Sequence, residues 1–71
     1  MKELFIVKRL KKSDYTWNMK GVFDSYEQAR NKIIKTLHGE YESRTNDSGI
    51  EVYFTGKDIN NSEYKIESKQ Q

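Results

Sequence analysis

The chain has 71 residues, 34% of them apolar and 34% charged, with a formal net charge of +2. That length holds one domain, which buries only about 60% of the surface its unfolded chain exposes, so stability is expected to be marginal without help from a partner. The absence of cysteine excludes a disulfide framework and a thiolate zinc site, and nine aromatic residues argue against disorder.

No run of about 18 apolar residues offers a membrane span. Met1 leads directly into a strand-like segment, so no signal peptide is expected. A fold held by packing alone suits the reducing cytoplasm of a bacterial cell. Charge is unevenly divided. Residues 1–38 carry nine Lys/Arg against four Asp/Glu, whereas residues 39–71 carry four against seven. A basic half invites a polyanion or an acidic protein surface.

Lys2 to Leu10 reads as a first strand. Leu4-Phe5-Ile6-Val7 is a continuous apolar run, expected where both strand faces are covered, so this strand should be central or lie under a helix. Lys8 and Arg9 carry it toward solvent, and Lys11-Lys12-Ser13-Asp14 reads as a polar turn. Tyr15 to Phe23 is a second strand, alternating so that Tyr15, Trp17, Met19 and Phe23 share one face. Gly21 in that row marks a bulge or a close backbone approach.

The helix over about 25–38 is the clearest element. Asp24 with Glu27, or Ser25 with Gln28, has capping-box spacing. Tyr26, Ala29, Ile33 and Leu37 recur at three and four, with Ile34 widening the stripe. His38 and Gly39 close it, the glycine as a left-handed stop and the imidazole as a cation for the helix dipole. Arg30, Asn31, Lys32 and Lys35 are expected on the outward face.

Residues 40–48 are polar and without period, and read as an exposed loop with Tyr41 as its anchor. Ile50 to Thr55 is a third strand, with Ile50, Val52 and Phe54 on one face and Glu51, Tyr53 and Thr55 on the other. Gly56 to Ser62 is a longer turn under which Ile59 is expected to tuck. Tyr64 and Ile66 alternate with Glu63, Lys65 and Glu67 in a fourth strand whose charged face suggests a sheet edge. Residues 68–71 are expected to fray. The expected fold is a single α+β domain over 1–67, ordered β-β-α-β-β, with a four-stranded antiparallel or mixed sheet and one helix packed on one face.

Catalytic signatures are missing. There is one histidine, no cysteine nucleophile, no Gly-x-Ser-x-Gly elbow and no phosphate-cradling glycine loop. Glu40, Glu42 and Asp47 match no calcium loop and read as a solvated acidic loop. No catalytic, metal or cofactor site is expected. Two binding readings remain. In the first, a protein partner docks on the basic Lys8–Lys12 region with Arg30, Lys32, Lys35 and nearby tyrosines, and the sheet face opposite the helix, where Tyr53 and either Leu4 with Ile6 or Phe5 with Val7 need cover, suggests docking or a homodimer. In the second, nucleic acid lies on a basic surface with Tyr15 and Trp17 stacking on bases. The residues expected to carry partner binding are Lys8, Arg9, Lys11, Lys12, Tyr15, Trp17, Arg30, Lys32 and Lys35.

The junction Gly21-Val22-Phe23-Asp24-Ser25-Tyr26-Glu27-Gln28-Ala29 resembles that of a group of very small bacterial and phage accessory domains of unknown function. These share a strand ending in Gly-hydrophobic-aromatic, a polar cap and a helix opening with an acidic residue and Ala. The resemblance covers about 20 residues. It implies a small phage or mobile-element factor acting by binding, such as an inhibitor of a host enzyme or defence nuclease in the manner of anti-CRISPR proteins. Nucleic-acid mimicry would require a strongly acidic chain, which this is not.

Overall fold

In the computed structural model, which describes residues 2–70, the chain forms β1 (Glu3–Lys11), β2 (Thr16–Phe23), α1 (Tyr26–Thr36), β3 (Tyr41–Thr45), β4 (Glu51–Gly56) and β5 (Glu63–Gln70). The strands make one antiparallel sheet in the order β2-β1-β5-β4-β3. The α+β class stands, with five strands rather than four. The added strand, β3, lies within the segment expected to be a loop. It forms an edge, only Tyr41 of it is half-buried, and its apolar alternation is therefore absent. Asn46 turns it into β4: its side-chain oxygen accepts from the Ser48 and Ile50 amides, and Gly49 adopts φ 80°.

Ser25 is the helix N-cap, accepting from the Gln28 amide at 3.2 Å. Leu37 is the C-cap, and His38 and Gly39 both take left-handed backbone, at φ 56° and 75°. The stripe behaves as its spacing requires. Ala29, Ile33 and Leu37 are buried and Tyr26 partly so, against Val7, Phe54, Tyr64 and Ile66. Burying a side chain such as Ile33 or Leu37 contributes roughly 1.5–3 kcal/mol. The helix packs against β1, β2 and β5, so Phe5 and Val7 turn inward, while Leu4 and Ile6 face the opposite side of the sheet.

Two bulges reset which residues share a face. Between the pairs Val7↔Gly21 and Lys8↔Met19, Lys20 is the extra residue on β2. Phe23 and Gly21 therefore lie on the helix face, and Trp17 and Met19 lie on the other, opposite Leu10 and Lys8. The expected single row of Trp17, Met19 and Phe23 is thus broken in two. Gly21 answers to the close-approach reading as well, since a Cβ there would stand 2.8 Å from the Phe23 ring. On β4 the register jumps between Arg44↔Tyr53 and Thr45↔Glu51, which makes Val52 the extra residue. Glu51 thereby meets Arg30 on the helix side instead of sharing the Tyr53 face.

Two further expectations are corrected. β5 is the central strand of the sheet. Its charged row is neutralised by cross-strand partners and does not mark an edge. Ile59 is 96% exposed. The turn beneath which it was expected is held instead by Asp58, whose carboxylate accepts from the Ser62 amide and hydroxyl, both at 3.1 Å. Those hydrogen bonds, the amide foremost, hold the Asp58 carboxyl below the usual range. Ser68 to Gln70 continue β5, paired with Glu3 to Phe5, and Gln71 lies outside the described residues.

Candidate interaction surfaces

The open face of the sheet divides into two parts. At one end Trp17 on β2 meets Tyr53 on β4 edge-to-face, with ring centroids 5.7 Å apart, and Lys65 Nζ stands 4.5 Å from the Trp17 centroid. The Tyr53 hydroxyl donates to Glu63 at 2.8 Å. Burial first, and that hydrogen bond second, raise the phenol pKa above its ordinary value. Glu67 is gripped between Lys8 at 2.5 Å and Lys65 at 3.1 Å. The Lys8 contact, then the Lys65 contact, hold its carboxyl below the ordinary range. This end of the face has satisfied its own charges. Lys8 is therefore a member of a cross-strand ladder and not a free cation.

At the other end the face is aliphatic. Leu4 and Ile6 on β1 are half-buried, while Met19 and Val22 on β2 are 62% and 46% exposed. Cross-strand pairing joins Ile6 to Val22, and β2 is itself an edge strand. The result is an apolar patch continuous with an unpaired backbone edge.

Five further cations, Arg9, Lys11, Lys12, Lys20 and Lys32, gather on the helix side. Two adjoining clefts, of about 420 and 290 Å³, share Arg9 and Lys20. The first extends to Lys11, Lys12, Asn18 and Asn60, and the second to Lys32 and Thr36 on the helix. No carboxylate lines either cleft. Lys12 Nζ donates to the Asn60 and Asn61 carbonyls at 2.7 Å each, tying the β1–β2 turn to the β4–β5 turn, and Glu63 is 4.0 Å away. Lys11 is 3.8 Å from Asp14. Arg9 lies 6.0 Å from the Tyr64 ring centroid and reaches Ser62 Oγ at 3.4 Å. Among the described residues Arg9, Lys20 and Lys32 enter no ion pair.

Arg30, expected on the outward surface, is part of the scaffold. Its Nε bonds Glu51 Oε1 at 2.9 Å and its terminal nitrogen donates to the Tyr41 hydroxyl at 3.1 Å. Ser43 donates to the other Glu51 oxygen, and the Tyr26 hydroxyl donates to the Glu51 carbonyl. The Ser43 contact foremost, then Arg30, hold the Glu51 carboxyl below its usual range, while burial pushes the Tyr26 phenol up. Tyr41 is an anchor, as its setting suggested, packed on Phe54 at 5.6 Å.

Of the other expected binding residues, Lys35 is exposed in the last helical turn, and Tyr15 is 78% exposed with φ 57° in the β1–β2 turn. Trp17 is on the face away from the Arg9–Lys20–Lys32 clefts. Sequence reasoning missed Lys20, whose signal was its place beside Gly21 in an otherwise alternating strand. It also missed Asn18 and Asn60, which carry no signal of their own. Among the described residues no three His, Asp or Glu side chains converge on a point where a metal could sit, and no helix is long and apolar enough to cross a membrane.

No protein-family model, curated protein or solved structure matches this chain.

Proposed function

We propose that this chain is a non-catalytic binding protein, and that a protein partner docks on the open face of the sheet. The observation that carries this is the apolar patch of half-buried Leu4 and Ile6 with exposed Met19 and Val22, on a face that none of the described elements covers. Beside it Lys8 and Lys65 share Glu67, which leaves one net positive charge among the three, so the complementary surface is apolar at its centre and carries little net charge. A small accessory or inhibitory factor of a phage or mobile element, occupying the surface of a host enzyme, would use such a patch.

Nucleic-acid binding with Trp17 as a stacking platform finds less support. The Trp17 ring is engaged by Lys65 and Tyr53, on the side of the sheet away from the unpaired cations.

The test uses Met19→Glu and Val22→Glu, both at exposed positions where substitution typically changes stability by under about 0.5 kcal/mol. Wild type and variants are compared as baits in bacterial lysate and by sedimentation equilibrium. A protein held by wild type and released by both variants supports the reading. Self-association abolished by both would identify the occupant as a second copy. Identical capture by all three, with all three monomeric, overturns it.

A further inference from the structure

We propose that the paired clefts around Arg9, Lys20 and Lys32 form a groove that holds the sugar–phosphate backbone of a single-stranded nucleic acid. This inference is independent of the open-face reading, because the groove lies on the helix side and shares no residue with the apolar patch.

Charge is the first support. Five cations line the two clefts and no carboxylate does, although the chain as a whole is nearly balanced. Outside the clefts Lys2 pairs with Asp24, and Lys8 and Lys65 with Glu67, while Lys35, Lys57 and Lys69 stand apart from one another; within them Lys11 has Asp14 at 3.8 Å. Arg9, Lys20 and Lys32 converge from β1, the β2 bulge and α1 without an ion-pair partner. Like charges brought together in a concavity repel, and a bound polyanion would relieve that repulsion while releasing its own counterions.

Shape is the second. Its cations come from three elements, Lys20 from the edge strand β2, Arg9 from β1 and Lys32 from the helix. Asn18, Asn60 and Ser13 extend the lining with neutral hydrogen-bonding groups. A channel of this form tracks a flexible strand. The domain measures 24 and 22 Å across its shorter axes, so a duplex would be nearly as broad as the protein and could not enter a cleft within it.

The lining also dictates what is read. Its one aromatic, Tyr64, is only 8% exposed and lies beneath Arg9. With no platform for stacking, contacts go to phosphates, and binding is independent of base sequence. Lys11 and Lys12 have carboxylate or carbonyl partners, which leaves three cations free to neutralise phosphates. The slope of log affinity against log salt is then about −2, which amounts to a loss of roughly 20-fold between 50 and 200 mM salt.

The test is fluorescence anisotropy with a labelled oligothymidylate of roughly 20 nucleotides, longer than the roughly 4–16 that one such groove occupies. Three proteins are titrated across a salt series: wild type, Lys20→Gln/Lys32→Gln, and Lys2→Gln/Lys69→Gln, the last removing the same charge away from the groove. All these lysines are exposed, and circular dichroism checks that each protein is folded. The expected result is a slope near −2 for wild type and for the Lys2/Lys69 variant, falling by about 1.4 for Lys20/Lys32. Equal slopes for the two double variants would show attraction by net charge alone and overturn the groove. A duplex of equal length binding as tightly, or inorganic polyphosphate at equal phosphate concentration displacing the strand as well as unlabelled oligothymidylate does, would overturn the single strand as occupant.

Discussion

Arg30→Ala decides whether a residue that reads as part of a basic binding surface is instead a structural pin. The guanidinium joins α1 to the β3–β4 hairpin through Glu51 at 2.9 Å and Tyr41 at 3.1 Å. A hydrogen bond to a charged group is worth about 1.5–3 kcal/mol, and an exposed ion pair about 0.2–1. The Arg30 and Glu51 side chains are 32% and 27% exposed, so the loss should fall between those limits, at about 1–2 kcal/mol. For a domain of this size each kcal/mol moves Tm by about 4–8 °C, which places the variant roughly 10 °C below wild type. Thermal unfolding followed by far-UV circular dichroism measures it, and a double-mutant cycle with Glu51→Gln isolates the pair. The pH dependence has a definite sign. Glu51 titrates below its unfolded value, so its stabilisation is present above that value and disappears as pH falls through the folded one. The gap in Tm between wild type and Arg30→Ala should therefore narrow below about pH 4. A Tm shift under about 2 °C at neutral pH, together with weakened binding of a partner or of oligothymidylate, would refute the structural reading and restore Arg30 to the surface.

Gly56→Ala places a Cβ 2.6 Å from Leu37 Cδ2, and Leu37 is itself buried, so denaturant unfolding should show a loss of about 1–3 kcal/mol. Gly21→Ala meets only the Phe23 ring, a side chain half-buried and able to swing away, and should cost less; equal losses at the two sites would contradict this. Ile33→Ala empties a fully buried position and should cost about 2–5 kcal/mol, a large share of a domain whose total stability is about 5–10. If Ile33→Ala unfolds at the same denaturant concentration as wild type, the helix does not seat as described. Glu67→Gln removes a carboxylate held below its ordinary range by Lys8 and Lys65. Its contribution is present above the unfolded carboxylate pKa and lost on acidification, so the acid limb of Tm against pH should be shallower in the variant. An unchanged limb would place the acid sensitivity elsewhere.

The helix was legible because its signals are local. Ser25, Ala29, Ile33, Leu37 and Gly39 act within a few residues of one another, and each behaves as its spacing requires. β3 was not, because an edge strand with one half-buried side chain has no pattern to display. Its only announcement was the Asn46–Gly49 turn that follows it. β5 was found but misplaced. A row of Glu63, Lys65 and Glu67 looks like solvent exposure when read alone, and becomes a central strand only once Lys8 from β1 and Tyr53 from β4 supply partners. Strand order is a long-range fact that strand composition does not encode.

The surfaces failed for a related reason, and the failure bears on function. Alternation assigns faces correctly only while the register holds, and one inserted residue exchanges them. The bulge at Lys20 sends Trp17 and Met19 to the open face and leaves Phe23 and Gly21 under the helix, while its own side chain joins Arg9 and Lys32. The same kind of insertion at Val52 draws Glu51 inward to neutralise Arg30. Together the two bulges separate what looked in sequence like one basic, aromatic surface. They leave an apolar patch beside a paired-charge cluster on one side and a cationic groove without an exposed aromatic on the other. Two binding chemistries that compete as explanations of a single surface thus become properties of two, and each can be removed by substitution without touching the other.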